Sequence, residues 1–243
     1  MQHISTSLVV TILSFGGLLV GGSAGFVAKQ FILNKMNRLY ALCGGLLLAL
    51  LILEIIPETF STFHLIGPLL GIILGVLFMI IIHSFSHSSH STKQQPLQTF
   101  LFLSLAIFIH NIPNGIALGA AFANDSTISN SLLLAIIFHH IPEGLALIIP
   151  FFFTHYRYPF FLLIIFLLSA TLGFSTIVGN TLGDATTHLQ GIIMGSAIGS
   201  LSYVTLQEML KKAYNSMTIS SFFIWVLIGF FIVNMYIRFL VHH

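Results

Sequence analysis

The sequence predicts an all-α integral membrane protein with eight transmembrane helices. Of its 243 residues, 56% are hydrophobic and only 6% are charged, whereas a soluble domain carries about 25% charged residues. So few charges cannot cover an aqueous surface of this size. The apolar residues fall into runs of the roughly 20 residues that a bilayer requires. These runs lack the two-residue alternation of membrane β-strands, so the expected fold is a helical bundle.

Short polar or charged segments separate the apolar runs. The predicted spans, numbered 1 to 8 in chain order, cover residues 7–32, 39–60, 64–82, 98–123, 131–154, 158–179, 189–213 and 218–240. The longest break, residues 83–97, is rich in histidine and serine and forms the third connection. A single transmembrane domain accounts for the whole of residues 1–243.

The basic residues predict the orientation of the bundle. Seven of the eight lie in or beside odd-numbered connections, and only Arg238, near the C-terminus, falls on the other side. The seven are Lys29, Lys35, Arg38, Lys93, Arg157, Lys211 and Lys212. Because short cytoplasmic loops carry an excess of lysine and arginine, we expect the odd connections in the cytoplasm and both termini outside.

Spans 2 and 7 are similar to each other. Span 2 contains CGGLLLALLILEIIPE and span 7 contains GSAIGSLSYVTLQEML; each begins with small residues and ends in carboxylates. A 3+2+3 arrangement, with spans 1–3 and 6–8 as inverted repeats around spans 4 and 5, would pair them. Glycine-rich stretches in spans 1 and 3 predict close helix contacts, which a homodimer could also use.

Spans 4 and 5 place polar side chains inside their most apolar segments, in two matched motifs. The first reads FIHNIPNGIAL from Phe108 to Leu118, and the second reads FHHIPEGLAL from Phe138 to Leu147. A carboxylate near the middle of a span costs roughly 3 kcal/mol or more, and it normally faces a partner or a polar cavity. We therefore expect Glu143 to face other polar groups.

The spacing of the motif residues indicates which groups these are. His139 and Glu143 are four residues apart on one helix face, and His110 and Asn114 share that spacing on span 4. The short connection makes spans 4 and 5 an antiparallel hairpin, so the two faces can oppose each other. Two imidazoles, a carboxylate and an amide oxygen suit a borderline divalent metal, zinc before iron(II), manganese or cobalt.

Proline and glycine recur at matching places in both motifs. Pro113 and Pro142 each free the backbone carbonyl four residues earlier, which kinks the helix and offers a further oxygen. Gly115 and Gly144 allow a close helix approach. A single intramembrane asparagine, such as Asn111, is more often a hydrogen-bonded link between helices than a ligand. That interpretation does not account for six polar residues in two matched frames.

The two motifs, HNIPNG and HHIPEG in spans 4 and 5 of eight, resemble those of the ZIP (Zrt/Irt-like) divalent metal transporters, in particular the bacterial GufA-like or ZupT-like branch. EIIPE in span 2 and YVTLQEML in span 7 are also similar to family patterns, and the resemblance covers the whole chain. It implies uptake of zinc, or of iron(II), manganese, cobalt or cadmium, across a bacterial cytoplasmic membrane. The ion would move down its gradient by an elevator-like motion.

The resemblance also implies which residues hold the ion. Those matching the family's primary metal site are His110, Asn114, His139 and Glu143, and those matching its second site are Asn111, Asn114, His140 and Glu143. Two departures matter: Asn114 stands where the family usually has a carboxylate, and Thr176 stands where some bacterial relatives have a glutamate. With Glu143 as the only central carboxylate, two dications would lack compensating charge. We therefore predict one strong site at most.

Carboxylates near the span ends are candidates for the transport pathway. Glu208, with Gln207 beside it, could line a release path at the cytoplasmic end of span 7, or it could be an interfacial carboxylate near the lysines that follow. Glu54 and Glu58 lie four residues apart at the outer end of span 2 and could line an entrance. In the third connection, His83, His87 and His90 could hold metal loosely as a reservoir or sensor; a solvated linker is the alternative.

Other functions fit the sequence less well. A membrane-embedded zinc hydrolase would need a base to activate water, yet the chain has no HExxH motif and Glu143 would be both ligand and base. A metal-gated channel or a non-transporting sensor remains compatible with the departures at Asn114 and Thr176. No nucleotide-binding motif is present, and a net charge of +2 does not suggest nucleic acid. The single cysteine, Cys43, excludes an internal disulfide.

Overall fold

A computed structural model of the chain describes residues 2–32, 36–86, 95–124, 129–182 and 187–241. The regular secondary structure of these ranges is helical. In chain order, the helices are α1 (Gln2–Ile32), α2 (Met36–Leu50), α3 (Ile56–Thr62), α4 (Ile66–Ser86), α5 (Gln95–Asn124), α6 (Ser129–Phe151), α7 (Tyr158–Leu182), α8 (Thr187–Tyr203), α9 (Lys211–Tyr214) and α10 (Ile219–Val241). Two π-helical segments, Leu51–Ile55 and Val204–Leu210, join α2 to α3 and α8 to α9.

Each predicted span coincides with one continuous helical segment, and the ends differ by up to five residues. Spans 2 and 7 each contain a π-helical segment, and the remaining spans are single helices. Six of the described helical segments are long and apolar enough to cross a membrane by length and composition. Two shorter apolar stretches, His140–Phe151 and Ile219–Met235, lie in α6 and α10. The predicted class, an all-helical membrane protein, is confirmed.

The helices pack as two groups. In the first, α1 packs against α6 and α7, and α5 packs against α7. We call α1, α5, α6 and α7 the motif bundle, because it holds both polar motifs. In the second, α4 packs against α8 and α2 packs against α10; the helices α2, α3, α4, α8, α9 and α10 form the flanking bundle. The two bundles meet where α5 contacts α8 and where α2 contacts α6.

Glycine lets the backbones of the motif bundle touch. A Cβ atom on Gly144 of α6 would collide with the carbonyl oxygen of Leu18 in α1, and one on Gly115 of α5 would collide with the carbonyl oxygen of Leu172 in α7. Because backbone atoms cannot move aside as a flexible side chain can, these positions admit no larger residue without separating the helices. The close approach expected of both glycines is present.

We expect Gly144→Ala to lower the free energy of unfolding by about 1–3 kcal/mol, because the added methyl group overpacks the contact with α1. The matched control is Gly16→Ala, since a Cβ atom at Gly16 meets nothing within 4 Å. Thermal unfolding in detergent, followed by the fluorescence of Trp225, measures both variants. Equal melting temperatures for the two would contradict the contact.

Contacts at the helix ends show which segments lie together. The side-chain amide of Asn37, after the first connection, donates a hydrogen bond to the carbonyl oxygen of Ser216 in the seventh, at 3.1 Å. At the other end, a Cβ atom on Gly191 would lie 3.2 Å from Cβ of Phe63, so the second connection lies beside the start of α8. The motifs of α5 and α6 lie between these ends.

Candidate metal site

Both polar motifs lie within continuous helices. Pro113 is inside α5 and Pro142 is inside α6, and each helix continues past its proline. A proline in a helix interior withdraws the N–H partner of the carbonyl four residues earlier, which belongs here to Ile109 and Phe138. The prolines therefore leave the polar residues on helical positions while loosening the backbone beside them.

Glu143 is the centre of the buried polar group. Its oxygen Oε1 lies 3.8 Å from Nε2 of His110 in α5, and its oxygen Oε2 lies 3.9 Å from Nε2 of His140 in its own helix. Glu143 has no exposed surface, and the two histidines are 1% and 2% exposed. Each carboxylate oxygen thus faces one imidazole nitrogen in a part of the protein that excludes bulk solvent.

Asn114 contacts the same nitrogen of His110. Its amide nitrogen Nδ2 lies 2.8 Å from Nε2 of His110. An amide nitrogen can only donate, so the ring nitrogen accepts in this arrangement. A metal ion needs the Nε2 lone pair, so it would have to replace this hydrogen bond. Rotation of the amide would then present the oxygen of Asn114 instead of its nitrogen.

Asn111 links two helices of the motif bundle. Its Nδ2 atom donates to the carbonyl oxygen of Leu168 in α7 at 3.0 Å, and its side chain is fully buried. This is the helix-linking role that the sequence allowed for Asn111. Its oxygen Oδ1 is buried and accepts no hydrogen bond from the residues that the structure describes. The amide nitrogen therefore has a structural role, and the amide oxygen remains available to a cation.

The structure brings together part of the predicted ligand set. His110, Asn114 and Glu143 are neighbours, whereas the side chain of His139 lies outside the described part of the chain. Among the described side chains, no group of three or more His, Cys, Asp or Glu residues is arranged to hold a metal ion. The nitrogen–oxygen distances of 3.8 Å and 3.9 Å are within the roughly 4 Å that two zinc–ligand bonds of about 2.0–2.1 Å can span, so a tetrahedrally held ion would draw the side chains only slightly closer.

Thr176 adds no charge to the site. Its side chain is 1% exposed, and its hydroxyl donates to the carbonyl oxygen of Leu172 in its own helix at 2.9 Å. A hydroxyl satisfied in this way brings no negative charge to the site. Among the described residues near the motifs, Glu143 supplies the formal negative charge.

A second buried polar group lies where α4 ends and α5 begins. We call it the Glu208 cluster, and its members are His83, Thr99, Glu208 and Lys212. The ammonium of Lys212 donates to Oε2 of Glu208 at 2.6 Å and to the hydroxyl of Thr99 at 2.7 Å. That hydroxyl donates to the same carboxylate oxygen at 3.1 Å, and Nδ1 of His83 lies 3.3 Å from Oε1. Glu208 is 1% exposed.

This cluster differs from what the sequence suggested. His83, expected in the connection after span 3, lies in the last turn of α4 with its ring stacked on Phe102 at 5.4 Å between centroids. Glu208 is buried rather than interfacial, and only one of the two lysines reaches it, because Lys211 donates to Gln207 at 2.9 Å. The four-residue spacing of Glu208 and Lys212 was a signal for their pairing. His87 and His90 lie outside the described residues.

The carboxylates of span 2 occupy different environments. Glu54 is half-buried within the π-helical segment, and Glu58 is exposed in α3. The two carboxylates therefore differ in exposure although they lie only four residues apart.

A buried carboxylate between imidazoles, at the centre of an apolar helical bundle, is typical of membrane proteins that bind cations within the bilayer. The family model described as ZIP zinc transporter matches residues 82–236, well over half of the chain, and the protein belongs to this family. The match includes both motifs and the Glu208 cluster, and membership implies divalent metal transport. Comparison with curated proteins gives no match.

Proposed function

We propose that this protein takes up divalent transition metal, zinc in preference to iron(II), manganese, cobalt or cadmium, through a site between α5 and α6. The ligands are His110, Asn114, His139 and Glu143. The observation that supports this best is the fully buried Glu143 carboxylate, with imidazole nitrogens 3.8 Å and 3.9 Å from its oxygens. A buried carboxylate is stabilised by a cation, and nitrogen donors beside it favour zinc over magnesium or calcium.

The site holds one ion strongly. One carboxylate offsets half of the charge of one dication, and the remaining donors are neutral. His140 lies 3.9 Å from Glu143, so a second ion held by His140 and Asn111 would compete for the same negative charge and repel the first. The second position is therefore weak, and it is occupied transiently or not at all.

The protein crosses a bacterial cytoplasmic membrane eight times, with both termini outside and spans 1–3 and 6–8 as inverted repeats. Two features support the repeat. The repeat exchanges spans 1, 2, 3 and 4 with spans 6, 7, 8 and 5, respectively. Under this exchange, the contact between α1 and α6 corresponds to that between α7 and α5. The contact between α2 and α10 likewise corresponds to that between α8 and α4. The two π-helical segments fall in spans 2 and 7, which exchange in the same operation, and each carries a glutamate.

Transport moves the motif bundle along the flanking bundle, as in an elevator. The proposed ligands all lie in the motif bundle, whose helices are in backbone contact and can move together. The ion enters past Glu54 and Glu58 and leaves past Glu208 and Gln207. The third connection, with His87 and His90, receives or senses the released metal.

The test is uptake of radioactive zinc by proteoliposomes that contain the purified protein. We expect saturable uptake that His110→Ala lowers more than about tenfold, because the loss of even an outer-shell partner costs about 10–100-fold in metal affinity. His155→Ala, an exposed histidine outside both clusters, is the matched control. Unlabelled iron(II), manganese, cobalt and cadmium rank the competing ions. Non-saturating flux would favour a channel, and no flux through folded protein would favour a sensor.

A further inference from the structure

One cation satisfies the buried carboxylate of the Glu208 cluster, and that cation belongs to the protein. The Lys212 ammonium contacts Glu208 in the flanking bundle and Thr99 at the start of α5 in the motif bundle, at 2.6 Å and 2.7 Å. Within the described residues of this region, the carboxylate of Glu208 is the one that lies on the proposed release path, and it holds the ammonium. When a metal ion arrives, the negative charge of Glu208 is already neutralised by this ammonium.

We infer that Lys212 is a tethered counter-cation that takes the place of the metal ion at Glu208 and expels the ion as it leaves. This inference rests on the proposed function and deepens it by adding a residue that controls release. The ion displaces the ammonium when it binds Glu208, and the returning ammonium displaces the ion. Each exchange keeps the buried carboxylate beside a positive charge, so the carboxylate is never left uncompensated.

The two partners differ in how freely they can move. The side chain of Lys212 is 31% exposed, whereas that of Glu208 is 2% exposed. A lysine can swing its ammonium into solvent while its aliphatic stem stays against the protein. Glu208 is enclosed by the helices and cannot follow. Exchange therefore proceeds by motion of the lysine, with the carboxylate fixed.

The groups left after the lysine departs can bind a borderline divalent ion. Glu208 offers two oxygens, His83 offers Nδ1 at 3.3 Å from one of them, and Thr99 offers a hydroxyl within 3.1 Å of the other. The ring of His83 is parallel to that of Phe102 within 7°, and this stacking fixes the plane of the ring. Mixed nitrogen and oxygen donors of this kind suit zinc, iron(II) or manganese.

The experiment compares Lys212→Met with Lys211→Met in the purified full-length protein. After zinc loading and desalting, elemental analysis gives zinc per chain. We expect Lys212→Met to retain one more zinc than wild type and its maximal uptake rate to fall about tenfold, the change produced by about 1.4 kcal/mol of tighter retention. Lys211→Met, which removes an exposed lysine bonded to Gln207, should match wild type in both measurements.

Further variants identify where the additional zinc binds. Adding His83→Ala to Lys212→Met should abolish it, and Lys212→Arg, which keeps the charge, should never acquire it. If Lys212→Met does not fold, Lys212→Gln serves in its place. No additional zinc in the neutral variants, or additional zinc that survives His83→Ala, would overturn the inference. Failure of wild-type uptake would instead overturn the proposed function, since the zinc count does not depend on transport.

Discussion

Glu143→Gln is expected to lower zinc uptake by at least about 100-fold, since outer-shell changes alone cost up to that factor. Glutamine keeps the volume and one oxygen of glutamate but removes the charge that attracts the ion. The carboxylate is fully buried, so surrounding solvent cannot replace that charge. Initial rates of radioactive zinc uptake in proteoliposomes, with protein amounts matched by size-exclusion chromatography, give the comparison.

Stability distinguishes a ligand from a structural residue. Replacing the buried carboxylate with a neutral amide of the same shape removes the cost of burying a charge, so metal-free Glu143→Gln should unfold at or above the temperature of the wild type. Added zinc should raise the melting temperature of the wild type and not that of the variant. The control Glu143→Asp keeps the charge with a shorter reach and should retain measurable uptake. Near-normal uptake by folded Glu143→Gln would exclude this carboxylate from the site.

Asn114→Glu is expected to tighten zinc binding about 10–100-fold and to raise zinc from one to two ions per chain. The amide nitrogen of Asn114 lies 2.8 Å from Nε2 of His110, which is itself 3.8 Å from Glu143. A carboxylate at this position would double the negative charge at the site and so remove the limit on a second dication. Calorimetric titration gives the dissociation constant and elemental analysis gives the stoichiometry.

The new carboxylate should also lower the stability of the protein when zinc is absent. Two buried carboxylates close together repel each other, so metal-free Asn114→Glu should melt below the wild type and recover with zinc. Tighter binding should slow release, and the turnover of transport should fall. Asn114→Gln, which lengthens the side chain without adding charge, is the matched control. One zinc per chain with unchanged affinity would show that charge does not limit the site.

Local spacing predicts the centre of this protein well. His110 and Asn114 are four residues apart and lie on one face of α5. Glu143 occupies the position in the second motif, on α6, that Asn114 occupies in the first. Helical geometry alone brings residues four apart onto one face, and a short connection makes the two helices neighbours. A polar residue in an apolar span also has few acceptable environments. The pattern of the sequence therefore predicts a shared polar site. In the structure, His110 contacts both Asn114 and Glu143 there.

Contacts between distant segments were less predictable. Thr99 donates to Glu208 across 109 residues of sequence, and a single threonine at the start of a span carries no signal of its own. His83 looked like part of a flexible histidine-rich segment, because the sequence does not show that α4 continues through it. The π-helical segment around Glu208 changes the helical phase, which a fixed period of 3.6 residues misses. These contacts depend on how the helices pack against one another, which the spacing of residues within one helix does not predict.

The pairing of helices also has a consequence for biosynthesis. Three of the four most extensive helix pairs are far apart in the chain: α1 packs against α6, α2 against α10 and α4 against α8, while α1 and α2 barely touch. The span formed by α1 must therefore wait in the lipid until the span formed by α6 has been inserted. A chain truncated after α5 would keep glycine-lined faces, such as that around Gly71, without the backbone of α8 to cover them. Such fragments would be substrates for membrane proteases, so the two bundles assemble fully only after α10 has been inserted.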